Sequence, residues 1–211
     1  MKRQESILLL GAGGHARACI DVLELHGGFR IGGLIGLPIE VGTSVLGYPV
    51  LGTDGELPRL RREHAGALVT IGQIKTPEQR MRLYALAQSQ GCTLPVIVSP
   101  RAHVSRHASL GAGTIVMHEA VVNAGAVVGR NCILNTLSLV EHDAVIEDHC
   151  HIATAAAVNS GVRVGVGSFI GSNSCVRQGV RIGERCVIGM GQRVLKDCTA
   201  GMHLPNWGER S

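Results

Sequence analysis

The chain has 211 residues, 45% apolar and 17% charged, enough to bury the core of one large domain or two small ones and too apolar for a disordered segment. Its formal net charge is +4 with scattered basic residues, and its aromatics are Phe29, Tyr48, Tyr84, Phe169 and Trp207, so both the basic stripe and the stacking platform of a nucleic-acid binder are missing. With so few aromatic rings the core has to be built from small aliphatic side chains, which points to a narrow, regular interior.

At the N terminus Lys2-Arg3 precede the apolar run Ile7-Leu8-Leu9-Leu10. Gly11, His15 and Arg17 break the run before it reaches the length of a secretion signal. No stretch approaches the roughly 20 apolar residues of a membrane span, so a cytoplasmic protein is expected. The run predicts a buried parallel strand. Gly11-Ala12-Gly13-Gly14-His15 follows, then a helix to His26 with Ala16, Cys19, Ile20, Val22, Leu23 and Leu25 at helical spacing, closed by Gly27-Gly28. Further strands are predicted near residues 30–35, 67–71 and 94–98. Helices are predicted near 54–64 and 76–89, the latter with Pro77 at its first position. This alternation implies a small parallel α/β sheet, a Rossmann-like domain over residues 1–100. The glycines after the first strand allow backbone N–H groups to approach a phosphate at a helix N-terminus. Ala16 stands where a dinucleotide fingerprint has its third glycine, so a tight strand–helix turn without a ligand stays open.

Residues 101–211 follow another rule. From Val104 to Val194 every sixth residue is aliphatic, 16 positions without a slip. Four residues after each stands a small residue, with Gln192 the one departure. Cys132, Cys150, Cys186 and Cys198 fall on this small track, which reads them as small buried hydrophobes. The seven cysteines, an odd number with no CxxC pair, are expected to be reduced and to bind no metal. Gly follows the aliphatic residue at 111, 129, 165, 171, 183 and 189, where tight corners are expected to need free φ. A six-residue period fits neither helix nor simple strand. It fits a parallel β-helix with three flat sides of one hexad each, about 18 residues per coil, coils stacked about 4.8 Å apart.

This repeat resembles the hexapeptide-repeat, left-handed β-helix acyltransferases. Together with Gly11-x-Gly13-Gly14-His15 and the Rossmann-like domain, it is similar over the whole chain to the nucleotide-amino-sugar N-acetyltransferases and sialic acid O-acetyltransferases. The resemblance implies a homotrimer, acetyl-CoA between neighbouring β-helices and a nucleotide-linked sugar held by Gly11, Gly13, Gly14 and His15. It implies that Ile133-Leu134-Asn135-Thr136 and Val140-Glu141-His142-Asp143 form the catalytic coil, with His142 as general base. The family's acidic residue after this histidine is usually Glu; here it is Asp143. His142 stands off both inward tracks and is expected to point outward. Transfer from a thioester requires removal of a proton from the attacking amine, which an imidazole oriented by a carboxylate accepts. Asp143 and Glu141 are both placed to orient it.

His151 matches a family histidine near the CoA thioester, while His149 matches no family role and is expected to face solvent. Asn135, His151, Ser160, Ser172 and Met190 are thereby assigned to CoA. The 18-residue coil stacks His142, Ser160 and Gln178 on one line and Thr154, Ser172 and Met190 on another. Arg163, Arg177, Arg181, Arg185 and Arg193 are either phosphate contacts or solvated charges.

Three departures stand out. Gly36-Leu37 replaces the Asp pair that in the family follows the second strand. Ser99-Pro100 replaces His-Pro, and Leu204-Pro205-Asn206-Trp207 replaces the usual tail. Loss of the Asp pair keeps open O-acetylation of a sialic-acid-like nonulosonate. A non-catalytic scaffold or regulatory subunit is the alternative from another class. A γ-type carbonic anhydrase needs a different histidine spacing from His103-x3-His107 and His149-x-His151.

Overall fold

The computed structural model describes residues 4–205, so Lys2-Arg3 and the Asn206-Trp207 part of the tail lie outside the described residues. The N-terminal unit runs β1 (Glu5–Leu10), α1 (Gly14–His26), β2 (Phe29–Ile35), β3 (Ser44–Val45), β4 (Tyr48–Gly52), α2 (Leu57–Leu60), β5 (Gly66–Val69) and α3 (Glu78–Ser89). The sheet order is β3-β4-β2-β1-β5, parallel except for the β3–β4 hairpin. β1 is an interior strand, between β2 and β5, and its Ile7-Leu8-Leu9-Leu10 run is buried, as its unbroken apolarity predicts. α1 ends where Gly27, at φ 66°, closes it by donating to the Leu23 carbonyl.

Two local expectations are corrected and one element is new. The helix expected over 54–64 is a 3-10 turn (Asp54–Glu56) running into the four-residue α2. Pro77 is the N-cap of α3, not its first residue. The β3–β4 hairpin carries no turn motif in the sequence. Its turn places Leu46 at φ 50° and Gly47 at φ 85°, a mirror-image turn usually marked by Asn-Gly or Asp-Gly.

The repeat forms a left-handed β-helix of two-residue strands in three parallel sheets of six, five and seven strands. Each strand pairs with the one 18 residues on, as Ile133 with His151 and Leu134 with Ile152. The aliphatic row forms one continuous buried core; Val104 and Leu110, near its open end, are only partly covered. The hydroxyls on the small track are spent between coils. Thr114, Ser168 and Ser174 donate to the carbonyls of Gly129, Gly183 and Gly189 at 2.7–2.8 Å. They also accept N–H bonds from Cys132, Cys186 and Gln192, which satisfies buried polar groups in both directions.

Ile97–Val98 pairs with Ile115–Val116, so the strand expected near 94–98 belongs to the β-helix and opens it. At the other end Cys198 pairs with Ile182 and His203 with Val187, 16 residues back and not 18. The last coil is two residues short, and Cys198 therefore stands in the aliphatic row, not on the small track.

The glycines of the repeat do two different jobs. Those directly after the aliphatic residue do not carry the positive φ expected of them. A Cβ at Gly111 or Gly171 would lie 2.5 Å from the backbone of Gly129 or Gly189 in the next coil, so these positions are kept bare by stacking. Positive φ falls two residues later, at Gly113, Gly125, Gly161, Gly179 and Gly191, and equally at Asn131, Asp143 and Asn173. Gly171→Ala is therefore expected to destabilise the chain by about 1–3 kcal/mol through overpacking. Gly179→Asn, in open space at a turn that Asn adopts, is expected to cost less than about 1 kcal/mol. Urea denaturation of the two variants checks the order; equal losses would contradict it.

α1 lies on the outer face of the seven-stranded sheet, where Ala16, Cys19, Ile20 and Leu23 share one core with Ile97, Ile115, Met117 and Ile133. A hydrogen-bond chain adds to this seam. Ser99 Oγ is 2.6 Å from His118 Nδ1, and His118 Nε2 is 2.8 Å from Asp21 Oδ2 on α1. Ser99 is 1% exposed and accepts the Arg101 N–H, so the chain joins the two units and offers no free nucleophile.

Candidate active site

The carboxyl ends of β1, β2 and β5 and the segment after β4 surround a cavity of about 420 Å³, lined in part by Gly11, Gly13, Gly36, Glu40, Asp54 and Arg82. β1 has β2 on one side and β5 on the other, so the cavity sits where strand order reverses, the ligand position of open α/β sheets. α1 opens at this cavity with no side-chain cap and no acidic residue in its first turn. Its positive end and the N–H groups of Gly14 and His15, unpaired among the described residues, are therefore left for an anion, while Ala16 donates to the Gly13 carbonyl. Gly11 has φ 124° and a Cβ there would strike Ile71, so it shapes the turn. Gly13 and Gly14 have open space where a Cβ would stand.

His15 and His151 meet where α1 crosses the β-helix, their ring centroids 6.3 Å apart. His151 Nδ1 is 2.7 Å from the carbonyl oxygen of Gln73. A carbonyl only accepts, so Nδ1 carries the proton and Nε2 is an acceptor. Asn135 is oriented to match: its Oδ1 accepts the Thr136 N–H at 2.8 Å and its Nδ2 lies 3.3 Å from His151 Nε2. Burial lowers His151 to about 3, the Gln73 carbonyl opposing this and Arg80 adding to it. Burial, with Arg80 second, lowers His15 to about 4. His15 Nε2 is enclosed and has no hydrogen-bond partner among the described residues.

Both histidines are therefore neutral in the folded chain. Below their unfolded value near 6.5 the unfolded chain takes up protons that the folded chain refuses. Stability is complete above pH 6.5 and falls as the pH drops toward 4 for His15 and 3 for His151. Each group is expected to contribute a slope of about 1.4 kcal/mol per pH unit in that window. Urea denaturation at pH 7, 5.5 and 4.5 measures it. His151→Gln should lower the slope by about 1.4 kcal/mol per pH unit, with His64 and His149, also lowered by burial, still contributing, and equal stability at the three pH values would contradict the assignment.

Gln73 and Arg80 carry no motif, and their part in the site emerges only from the fold. Gln73 Nε2 donates to Gly167 O at 2.8 Å and its Oε1 lies 3.3 Å from Arg80 Nη1. Arg80, 1% exposed, donates from Nη2 to Asn131 O and Oδ1 at 2.6 and 3.0 Å. Burial lowers its guanidinium to about 10, still charged at neutral pH. His149, expected in solvent, is half-buried instead. Its Nδ1 is 2.9 Å from Asn131 Nδ2 and its ring meets the edge of Tyr84.

His142 stands on the next corner of the prism and points outward, with its side chain 59% exposed. Its Nδ1 is 2.9 Å from Asp143 Oδ2, while Glu141 Oε2 accepts the His142 backbone N–H. Asp143 is thus the ring's partner and Glu141 is not. Asp143 reaches the ring because it occupies the left-handed turn position, φ 60°, which Asp tolerates. The expected stacking is present. Gly161 donates to the His142 carbonyl and Gly179 to that of Ser160, while Gly191 donates to that of Ser172.

Between these two lines Arg177, Arg193, Gln178 and Cys175 line a groove of about 660 Å³. Arg163 and Arg185 are instead held in ion pairs with Glu147 and Glu78. The structure thus gathers Asn135 and His151 with His15 under the N-terminal unit, puts His142 and Asp143 on an open corner, and leaves Ser160, Ser172 and Met190 on the two stacked lines, outside the groove's own lining. Among the described residues no group of three or more His, Cys, Asp or Glu converges as a metal site, and no helix is long and apolar enough to cross a membrane.

Residues 6–84 match the PglD N-terminal domain, and residues 161–195 match the hexapeptide repeat of succinyl-transferase. A search of curated proteins finds no match. Among solved structures, the acetyltransferase domain of PglB from Neisseria gonorrhoeae, in complex with acetyl coenzyme A, is 31% identical with TM-score 0.88, covering 96% of this chain and 97% of that one. PerB from Caulobacter crescentus, in complex with CoA and GDP-perosamine, is 32% identical with TM-score 0.89, covering 95% and 93%. WeeI from Acinetobacter baumannii shares the fold at 19% identity and TM-score 0.76, covering 94% and 95%. With identity above 30% across nearly the full length of two such enzymes, the chain belongs to the hexapeptide-repeat, left-handed β-helix sugar acetyltransferases.

Proposed function

We propose that the protein transfers the acetyl group of acetyl-CoA to the amino group of a nucleotide-linked amino-deoxy sugar, with His142 as general base. The observation that carries this reading is the outward His142–Asp143 pair, bonded through Nδ1, on a β-helix akin to acetyltransferases that bind acetyl-CoA and a nucleotide sugar. With Nδ1 donating to Asp143, Nε2 carries the lone pair. The amine attacks the thioester carbon and Nε2 takes its proton. The tetrahedral intermediate then expels the CoA sulfur, which recovers that proton from the imidazolium. Asp143 holds the ring and stabilises its charged form.

The acyl donor runs along the groove by Asn135, Ser160, Ser172 and Met190, with Arg177 and Arg193 near its phosphates. His151, whose Nε2 already accepts from Asn135 Nδ2, serves the donor's arm by orienting that amide, whose second N–H is left to donate. The turn Gly11, Gly13, Gly14 and His15 holds the anionic part of the sugar nucleotide. We assign sugar binding to the N-terminal unit and acyl transfer to the β-helix, and place the reaction in the cytoplasm, where the seven free thiols stay reduced.

A groove open on one prism is completed by a neighbouring copy, so a homotrimer is expected; a monomer by light scattering would contradict the shared site. A thermal-shift panel of UDP-, GDP-, dTDP- and CMP-sugars, with and without CoA, tests the assignment. A ligand at 100 times its Kd stabilises by about 2.7 kcal/mol. A response to CoA together with one nucleotide class is expected, and no response to any sugar nucleotide would contradict it.

A further inference from the structure

The sugar-nucleotide cavity has no carboxylate at the end of β2, the place from which open α/β sheets hold a ribose. Ile35 is followed by Gly36 and Leu37. Glu40 fills that place from further along the chain. The 3-10 turn Pro38–Glu40 folds its side chain back, and Oε2 accepts the Leu37 N–H at 2.7 Å. A Cβ on Gly36 would lie 2.6 Å from Glu40 Oε2 and 3.1 Å from the Ala12 Cβ. The carboxylate therefore sits where a side chain at 36 would be, beside the glycine turn, and it lines the same cavity. Its other oxygen, Oε1, has no partner among the described residues. Asp54, another carboxylate in the cavity wall, is held by Arg82 at 2.7 Å.

Resting on the reading of this cavity as the sugar-nucleotide site, we infer that Glu40 is the specificity residue that binds the ribose hydroxyls. The substrate is then a ribonucleoside diphosphate sugar, and a 2′-deoxyribonucleotide is discriminated against. The diphosphate lies on the N–H groups at Gly13 and Gly14, the ribose is turned toward Oε1, and Leu37 and Pro38 give the base an apolar wall.

Titration calorimetry with UDP, 2′-deoxy-UDP, GDP and 2′-deoxy-GDP tests this. For the base that binds, the wild type is expected to prefer the ribonucleotide about 10-fold or more, the size of a hydrogen bond to a charged group. Glu40→Ala should bring the two sugars to near-equal affinity. Glu40→Gln keeps an amide oxygen for the Leu37 N–H, and so the turn, and should also reduce the preference. A wild type without ribose preference, or a preference that survives in both variants, overturns the role of Glu40 while the cavity remains a nucleotide site. Binding of none of the four probes by an enzyme that still acetylates an amino sugar overturns the reading of the cavity itself.

Discussion

His142→Ala is expected to lower kcat by about 100-fold or more, the contribution of a positioned general base. The side chain is exposed on a corner and packs into no core, so its loss should leave the fold intact. Asp143→Asn keeps an oxygen for the Nδ1 proton and removes the charge that stabilises the imidazolium, so a smaller loss is expected. Glu141→Gln changes a group whose one hydrogen bond among the described residues is to the His142 backbone N–H, and should alter turnover little. Single-turnover rates with saturating acetyl-CoA and acceptor check the series. Near-normal turnover in His142→Ala would contradict the assignment of the base.

Gly13→Val is expected to raise KM for the sugar nucleotide by about 10-fold or more and to leave KM for acetyl-CoA nearly unchanged. Gly13 has φ −78°, open to any residue, and its Cβ would meet nothing within 4 Å. The added side chain therefore enters the cavity and costs the fold little. It separates the anion from the first N–H groups of α1, each bond to a charged group being worth about 1.5–3 kcal/mol. Gly11 is a poorer probe, because a side chain there strikes Ile71 and disturbs the turn itself. His15→Ala should act in the same direction as Gly13→Val, more weakly. Impaired acetyl-CoA binding with sugar binding retained would assign the turn to the acyl donor instead.

What could be read from the sequence is what repeats. Hexad periodicity is a packing rule applied coil after coil, and it located the prism, its corners and the outward His142 without any long-range information. The rule carries no warning of its own ending, so the shortened last coil and the place of Cys198 in the aliphatic row were not legible. It also could not divide two causes of a glycine. Gly171 is bare because a neighbouring coil lies on it and Gly191 because its φ is 69°, a difference that exists only in the folded chain. Gln73, Arg80 and Glu40 belong to no motif. Gln73 and Arg80 act on residues 51 to 94 positions away, and Glu40 acts by folding back over a glycine. Asp143 and Glu141 flank His142 equally in sequence, and the left-handed turn at 143 is what brings one of them to the ring.

The central claim is tested most directly by following CoA thiol release from acetyl-CoA with amino-deoxy sugars linked to UDP or GDP, beside a free sialic-acid-like nonulosonate. Release is expected only with a nucleotide-linked amine, with a product heavier by one acetyl group on nitrogen. Release with the nonulosonate alone, or none with any acceptor while acetyl-CoA binds, would contradict it.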